Sequence, residues 1–270
     1  MNNSSPATKG GLHKGIKELI DKALEANPSG DKLCSYSTAL MLNNGNRRDL
    51  HLGKVVEGMW KQIATNWVNA GCQWRGSENW RWTLRTYLDA NSKRAEVRLN
   101  RTLAKALSKS LSSEKWTNEI PTGSGLAEKG GTAPGGLDFA YCGSPGNLFL
   151  IELKIAAENP LSAAFQLVTY GLVLVLARHV HDRLRTGKQQ IKLSEKWLTA
   201  KRADLRVLAP SGYYSKFRKL AWFEEQLDAA VAAYGKEHGI MMSFGFRCFE
   251  RGPINEDQML VALEQRVNWL

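Results

Sequence analysis

Cysteine is scarce: Cys34, Cys72, Cys142 and Cys248 are the only four in 270 residues, far apart and with no CxxC pair. That spacing gives no support to a zinc ribbon or a thioredoxin-like motif, and it suits reduced thiols in a cytoplasmic protein. The stretch Met1 to Gly11 is polar and lacks the apolar core of a signal peptide, and reads as a disordered tail. The most membrane-like run, Val168 to Ala177, is too short to span a bilayer, so no membrane partner is expected. No GK[ST] follows the glycines at 123–125 and 130–131, which excludes a P-loop and leaves a flexible loop at a cleft mouth. There is no internal repeat, no low-complexity tract and no signature of an organic cofactor.

What the chain does have is apolar bulk and positive charge. A 43% hydrophobic content with 9 Trp, 7 Tyr and 8 Phe can bury a full core. The formal charge is +11, and it is concentrated. Arg75–Lys109 and Arg178–Arg206 each carry nine basic residues against three acidic ones, enough to account for the whole excess. One such run is often just a solvated helix face, but two flanking an acidic site favour a polyanionic partner such as DNA, with RNA as the alternative.

Periodicity organises the chain. Helices are expected over Gly15–Ala26, Leu52–Ala70 and Ser92–Leu111, the last with Leu99, Leu103, Ala106 and Leu107 as its buried stripe. Strands follow at Lys115–Ile120, Gly136–Cys142 and Leu148–Ala156, the last two joined by Gly143–Asn147. Asn159–Pro160 opens a long helix to about Arg185, and a basic connector leads to a strand at Leu205–Ala209. A helix at Ser215–Glu237, a strand at Ile240–Glu250 and a final helix at Asn255–Trp269 complete the order. The expectation is an α/β sandwich, a mixed sheet with helices on both faces. Residues 1–90 form a tail and helical extension that is either a subdomain or a wrap around the core, and 91–270 form the main domain.

The segment Leu148–Ala156 decides the chemistry. Alternation puts Phe149, Ile151, Leu153 and Ile155 on one face and Leu148, Leu150, Glu152 and Lys154 on the other. A lone buried charge costs several kcal/mol, so this acid–base pair needs a partner or a metal. A five-residue hairpin loop at Gly143–Asn147 sets Cys142 against Leu148 and Asp138 against Glu152. Directly opposed residues have Cβ atoms about 4.5–5.5 Å apart. Two carboxylates that close repel unless a hard divalent cation, Mg²⁺ or Mn²⁺, lies between them. Such a cation activates water and polarises a phosphate, and Lys154 is placed to offset charge developing on phosphorus.

Gly136-Leu137-Asp138 followed by Ile151-Glu152-Leu153-Lys154 resembles the PD-(D/E)XK nuclease superfamily, with Leu137 where the family name has Pro. The resemblance covers roughly Glu96 to Glu250 and implies a restriction-endonuclease-like three-layer sandwich. Gln166 and Tyr170, one helical turn apart, look like the QxxxY motif of the RecB-like branches and are implied to line the site. The resemblance also implies that Glu96 completes the metal shell or binds a second ion.

The expected function is a divalent-metal-dependent nuclease acting on DNA, with Asp138, Glu152, Lys154, Gln166 and Tyr170 as catalytic residues and Asp138, Glu152 and Glu96 as metal ligands. An inactive nucleic-acid-binding protein of the same fold and a metal-dependent RNase are the competing readings, and a homodimer is compatible with each. Arg75, Arg81, Arg85, Arg94, Arg98, Lys192 and Lys196 are the expected phosphate contacts. Trp74, Trp80 and Trp82, interleaved with three of these arginines, either stack bases or pack a core beneath snorkelling guanidiniums. His179 and His181 suit a helix C-terminus, and His13, His51 and His238 form no ligand pattern.

Overall fold

The computed structural model describes residues 12–24, 39, 42–43, 50–69, 86–89, 91–113, 115–120, 136–143, 146–155, 159–180, 195–250, 258 and 261–269. Within them run helices α1 (Ile16–Ala23), α2 (Leu52–Asn69) and α3 (Ala95–Ser110), then strands β1 (Trp116–Ile120), β2 (Leu137–Cys142) and β3 (Asn147–Leu153). Helices α4 (Pro160–His179) and α5 (Glu195–Leu198) lead to β4 (Arg202–Pro210), and α6 (Ser211–Tyr214) and α7 (Ala221–Glu237) lead to β5 (Met241–Phe249).

The five strands form one mixed sheet in the order β1-β2-β3-β4-β5. The first three make an antiparallel meander, while β4 and β5 add in parallel. Parallel neighbours require crossovers, and α4 and α7 supply them. One apolar cluster joins α1, α2, α4 and α7 to Leu148, Leu150, Leu205, Val207, Phe244 and Phe246. A smaller one joins Leu99, Leu103 and Leu107 of α3 to Phe139, Ile151 and Leu153. Alternation along β3 therefore feeds two cores, as the sequence pattern requires. The arrangement is α/β and compatible with three layers. The N-terminal helices α1 and α2 share the larger core, and Leu12 is already buried at its edge.

Helix α4 is apolar on nearly every side and 16 of its residues are buried, the signature of a helix enclosed by protein. It is long and apolar enough to cross a membrane, but 89% of its most apolar window is buried inside the protein. Asn159 caps its start by accepting from the Leu161 N–H, with Pro160 in the first turn. At Gly171 the helix meets the sheet so closely that a Cβ would lie 2.9 Å from Leu205 Cδ1.

Several boundaries differ from expectation. Helix α3 begins at Ala95, β3 ends at Leu153, and β4 begins at Arg202, three residues early. The helix expected from Ser215 begins at Ala221, and α4 ends at His179. The expected final helix does not run to Trp269: of its described residues 258, 261 and 262 are helical, and 263–269 are not. Arg266 instead bridges Arg247 antiparallel, and Gln265 O accepts from Cys248 N at 3.1 Å. The reason is the bare edge of β5, whose main-chain groups need partners. Glu224 and Asp228 of α7 accept from Phe246 N and Phe244 N, and Trp269 Nε1 donates to Glu224 Oε2. Val267 and Trp269, two residues apart, pack on the larger core as an extended segment would.

Candidate active site

The β2–β3 hairpin fixes the site. Cys142 pairs with Leu148 and Phe139 with Ile151, the register that loop length predicts. Gly143 N closes the loop on Asn147 O at 2.8 Å, and Gly146 supplies a φ of 80°. Asp138 and Glu152 are the next positions in that register. Beyond Phe139 the ladder gives way to a side chain, with Asp138 Oδ2 accepting from Leu153 N at 2.8 Å.

Lys154, one residue past β3, stays tied to the sheet because its N–H donates to Leu208 O at 2.9 Å. Its Nζ donates to Glu152 Oε1 at 2.9 Å and lies 3.6 Å from Glu96 Oε1 in the first turn of α3. Glu152 is 1% exposed. Three carboxylates against one ammonium leave a formal charge of −2 at the C-terminal end of β3.

Electrostatics follow from that crowding. Burial, then the charge of Glu152, drives the Asp138 carboxyl well above the ordinary carboxylate range, against the pull of Lys154 and the Leu153 N–H. Burial alone would lower the Lys154 ammonium, but Glu152, Asp138 and Glu96 together hold it well above its ordinary value. Lys154 is thus a firmly protonated internal counter-ion.

The donor set fits a hard divalent cation. It offers carboxylate oxygens, a like-charge conflict between Asp138 and Glu152 that keeps Asp138 from ionising freely, and more carboxyl groups than the one ammonium can balance. Among the described residues no group of three or more His, Cys, Asp or Glu side chains is gathered into a ready-made metal cage. The Lys154 ammonium already bridges Glu152 and Glu96.

Gln166 and Tyr170 meet on α4, with Gln166 Nε2 donating to the Tyr170 hydroxyl at 2.9 Å. Arg94 is exposed beside α3. Arg98 is also exposed, but its guanidinium donates to the carbonyls of Ser92 and Lys93 at 2.7 and 3.0 Å. Arg75, Arg81, Arg85 and Lys192, with the three tryptophans, lie outside the described residues. Lys196 lies on α5, its side chain outside them. Part of the second basic run turns inward: Arg178 donates to Leu198 O and Ala200 O, each at 2.6 Å, and Arg206 is 7% exposed beside Asp204 and Ser243.

Sequence reading missed a buried amide chain behind the site. Asn100 Nδ2 donates to Asp138 O at 2.6 Å, and Asn118 Nδ2 donates to Asn100 Oδ1 at 2.8 Å. An Asn beside the apolar stripe of α3 was the available signal, since a buried amide needs partners. Sequence reading also missed that His179 and His238 meet, Nε2 to Nδ1 at 3.0 Å, against Trp60. Glu119 is left-handed at φ 50°, at the β1 position between the pairs Asn118–Phe139 and Ile120–Leu137, hence opposite Asp138. Trp116 lies in the smaller core and Ile120 in the larger, a change of face that the turned-over residue between them accounts for.

No protein-family model, curated protein or solved structure matches the chain.

Proposed function

We propose that this chain is a divalent-metal-dependent nuclease of the restriction-endonuclease-like, PD-(D/E)XK class that hydrolyses DNA phosphodiesters. One observation carries the reading: Glu152 and Glu96 share the single ammonium of Lys154 at a strand end, with the buried Asp138 carboxyl close enough to feel both Glu152 and Lys154, in a chain of +11. A structural ion pair needs one carboxylate; three in partly dry surroundings repel one another.

Asp138 and Glu152 would hold the cation, with Glu96 reaching it from α3. A cation there supplies Lewis-acid chemistry towards a phosphodiester. Lys154, fixed by Glu152, would neutralise charge on the phosphoryl oxygens as it develops. Gln166 and Tyr170, bonded to each other on α4, would orient substrate over the strand ends. The exposed Arg94 and the first basic run would hold the phosphate backbone.

Purified protein incubated with linear, circular and single-stranded DNA and with RNA, with and without Mg²⁺, tests the reading. Metal-dependent cleavage of DNA that disappears in Asp138→Ala and Lys154→Ala is the expected result. Cleavage of RNA alone would select the ribonuclease reading. Binding without cleavage would select the inactive protein, and undiminished cleavage by both variants would remove this mechanism.

A further inference from the structure

The short segment 86–89 precedes α3, and Tyr87 within it is tied to β1 through both of its main-chain groups. Its N–H donates to Asn118 Oδ1 at 2.8 Å, and its carbonyl accepts from Asn118 Nδ2 at 2.9 Å. The same amide continues through Asn100 to the carbonyl of Asp138. Asn118 and Asn100 are 0% and 2% exposed. Buried amides are costly unless bonded, and the backbone of Tyr87 supplies two of the bonds that satisfy Asn118. The segment is therefore fastened to the residue bearing the Asp138 carboxylate.

The ring of Tyr87 is placed differently from its backbone. It is 40% exposed, and Arg101 Cζ lies 5.7 Å from its centroid. Arg101 is itself pinned, donating to Glu119 Oε1 at 3.0 Å and to Asp89 O at 2.5 Å. An aromatic ring held by main-chain bonds, backed by a fixed guanidinium and open to water is a preorganised stacking surface. Every nucleobase offers a π-face, but a base inside a duplex already stacks on both sides. Only an unpaired base can use such a surface.

We infer that Tyr87, held beside Asp138 through Asn118 and Asn100, forms a nucleobase-stacking subsite for a single-stranded segment of the substrate. The inference rests on the nuclease reading above and narrows its substrate class to nucleic acid with unpaired bases near the cleavage point.

The test is fluorescence anisotropy with a labelled single-stranded oligonucleotide and a blunt duplex of the same sequence, in EDTA at fixed salt. Tyr87→Ala should weaken single-strand binding roughly 5- to 150-fold, the equivalent of about 1–3 kcal/mol for one stacked base. Duplex binding should change less than about twofold. Tyr87→Leu keeps apolar bulk without a π-face and should lose as much as Ala; Tyr87→Trp should bind at least as tightly as the wild type. All three retain the main-chain bonds to Asn118, and thermal melting checks that they fold. Single-strand affinity equal across the wild type and the folded variants would overturn the subsite alone, as would equal losses on duplex and single strand. A wild type that binds neither form would overturn the nucleic-acid reading and the subsite with it.

Discussion

Replacing Lys154 by Met removes the one cation from the cluster while keeping its aliphatic stem. The side chain of Lys154 is 13% exposed and that of Glu152 2%, so solvent can do little to relieve the carboxylates left behind. Breaking a buried pair by deleting one partner costs about 3–5 kcal/mol, against a typical domain stability of about 5–15 kcal/mol. At about 2–4 °C per kcal/mol for a protein near this size, the metal-free variant should melt on the order of 10 °C below the wild type. The pH dependence has a definite sign. Lys154 is held above its ordinary value, so its stabilisation is complete at neutral pH and lost only as alkali titrates it. The Asp138 carboxyl is raised, so folding favours its protonated form and that contribution fades as pH rises above about 4. The deficit of Lys154→Met should therefore be larger at about pH 8 than at about pH 5. Mg²⁺ should recover about 2.7 kcal/mol at a hundredfold excess over its dissociation constant. Differential scanning fluorimetry in EDTA and in Mg²⁺ measures all three effects. A variant that melts with the wild type in EDTA at about pH 8 would refute the pairing.

Asp138→Asn removes a like charge beside Glu152, so it should be at least as stable as the wild type without metal yet lose cleavage by more than about 100-fold, as loss of a metal ligand requires; a destabilised but active variant would contradict this. His13 is 5% exposed, its Nε2 has no hydrogen-bond partner among the described residues, and burial lowers its pKa to about 4. Its neutral form is favoured by folding, so about 3 kcal/mol of stability should be present above about pH 6.5 and fall away towards pH 4; urea titrations of wild type and His13→Phe across that window should converge at neutral pH and part in acid. A Cβ at Gly235 would lie 2.6 Å from Ile240 O, so Gly235→Ala should cost about 1–3 kcal/mol in thermal melts without altering metal response. DNA affinity should fall steeply as salt rises, and a flat response in a binding titration would deny the phosphate contacts.

Element type and the β2–β3 register from Cys142–Leu148 to Phe139–Ile151 were legible because period-2 alternation and a five-residue loop are local signals. Leu148 and Leu150 against Ile151 and Leu153 leave β3 one way to bury both faces, and that fixes where Glu152 emerges. The C-terminal segment was misread past residue 262 because Leu260, Leu263 and Val267 fit a helical stripe. What decides its shape is the edge of β5, which pairs with Gln265 and Arg266, and Glu224, which accepts from Trp269 Nε1, contacts far apart in sequence. The same distance in sequence hid the Asn118–Asn100 chain: each Asn is unremarkable in its own window, and only packing of α3 against β1 joins them. Arg178 and Arg206 were counted as surface charge because composition cannot distinguish a solvated guanidinium from one that ties together main-chain carbonyls or a buried aspartate.

That last error bears on how the charges work. With Arg178 and Arg206 turned inward, less of the excess of +11 is left on the surface near β4. Among the described residues Lys93, Arg94, Arg98, Lys105 and Lys109 are exposed on or just before α3 and Lys201 and Arg202 at the start of β4, and Arg94 stands two residues from Glu96. Phosphates drawn to the start of α3 would approach a net negative site that repels them until a cation fills it. On the proposed nuclease reading, attraction and catalysis would then be separate electrostatic events: salt would weaken the first by screening, and a divalent cation would gate the second by neutralising Asp138, Glu152 and Glu96.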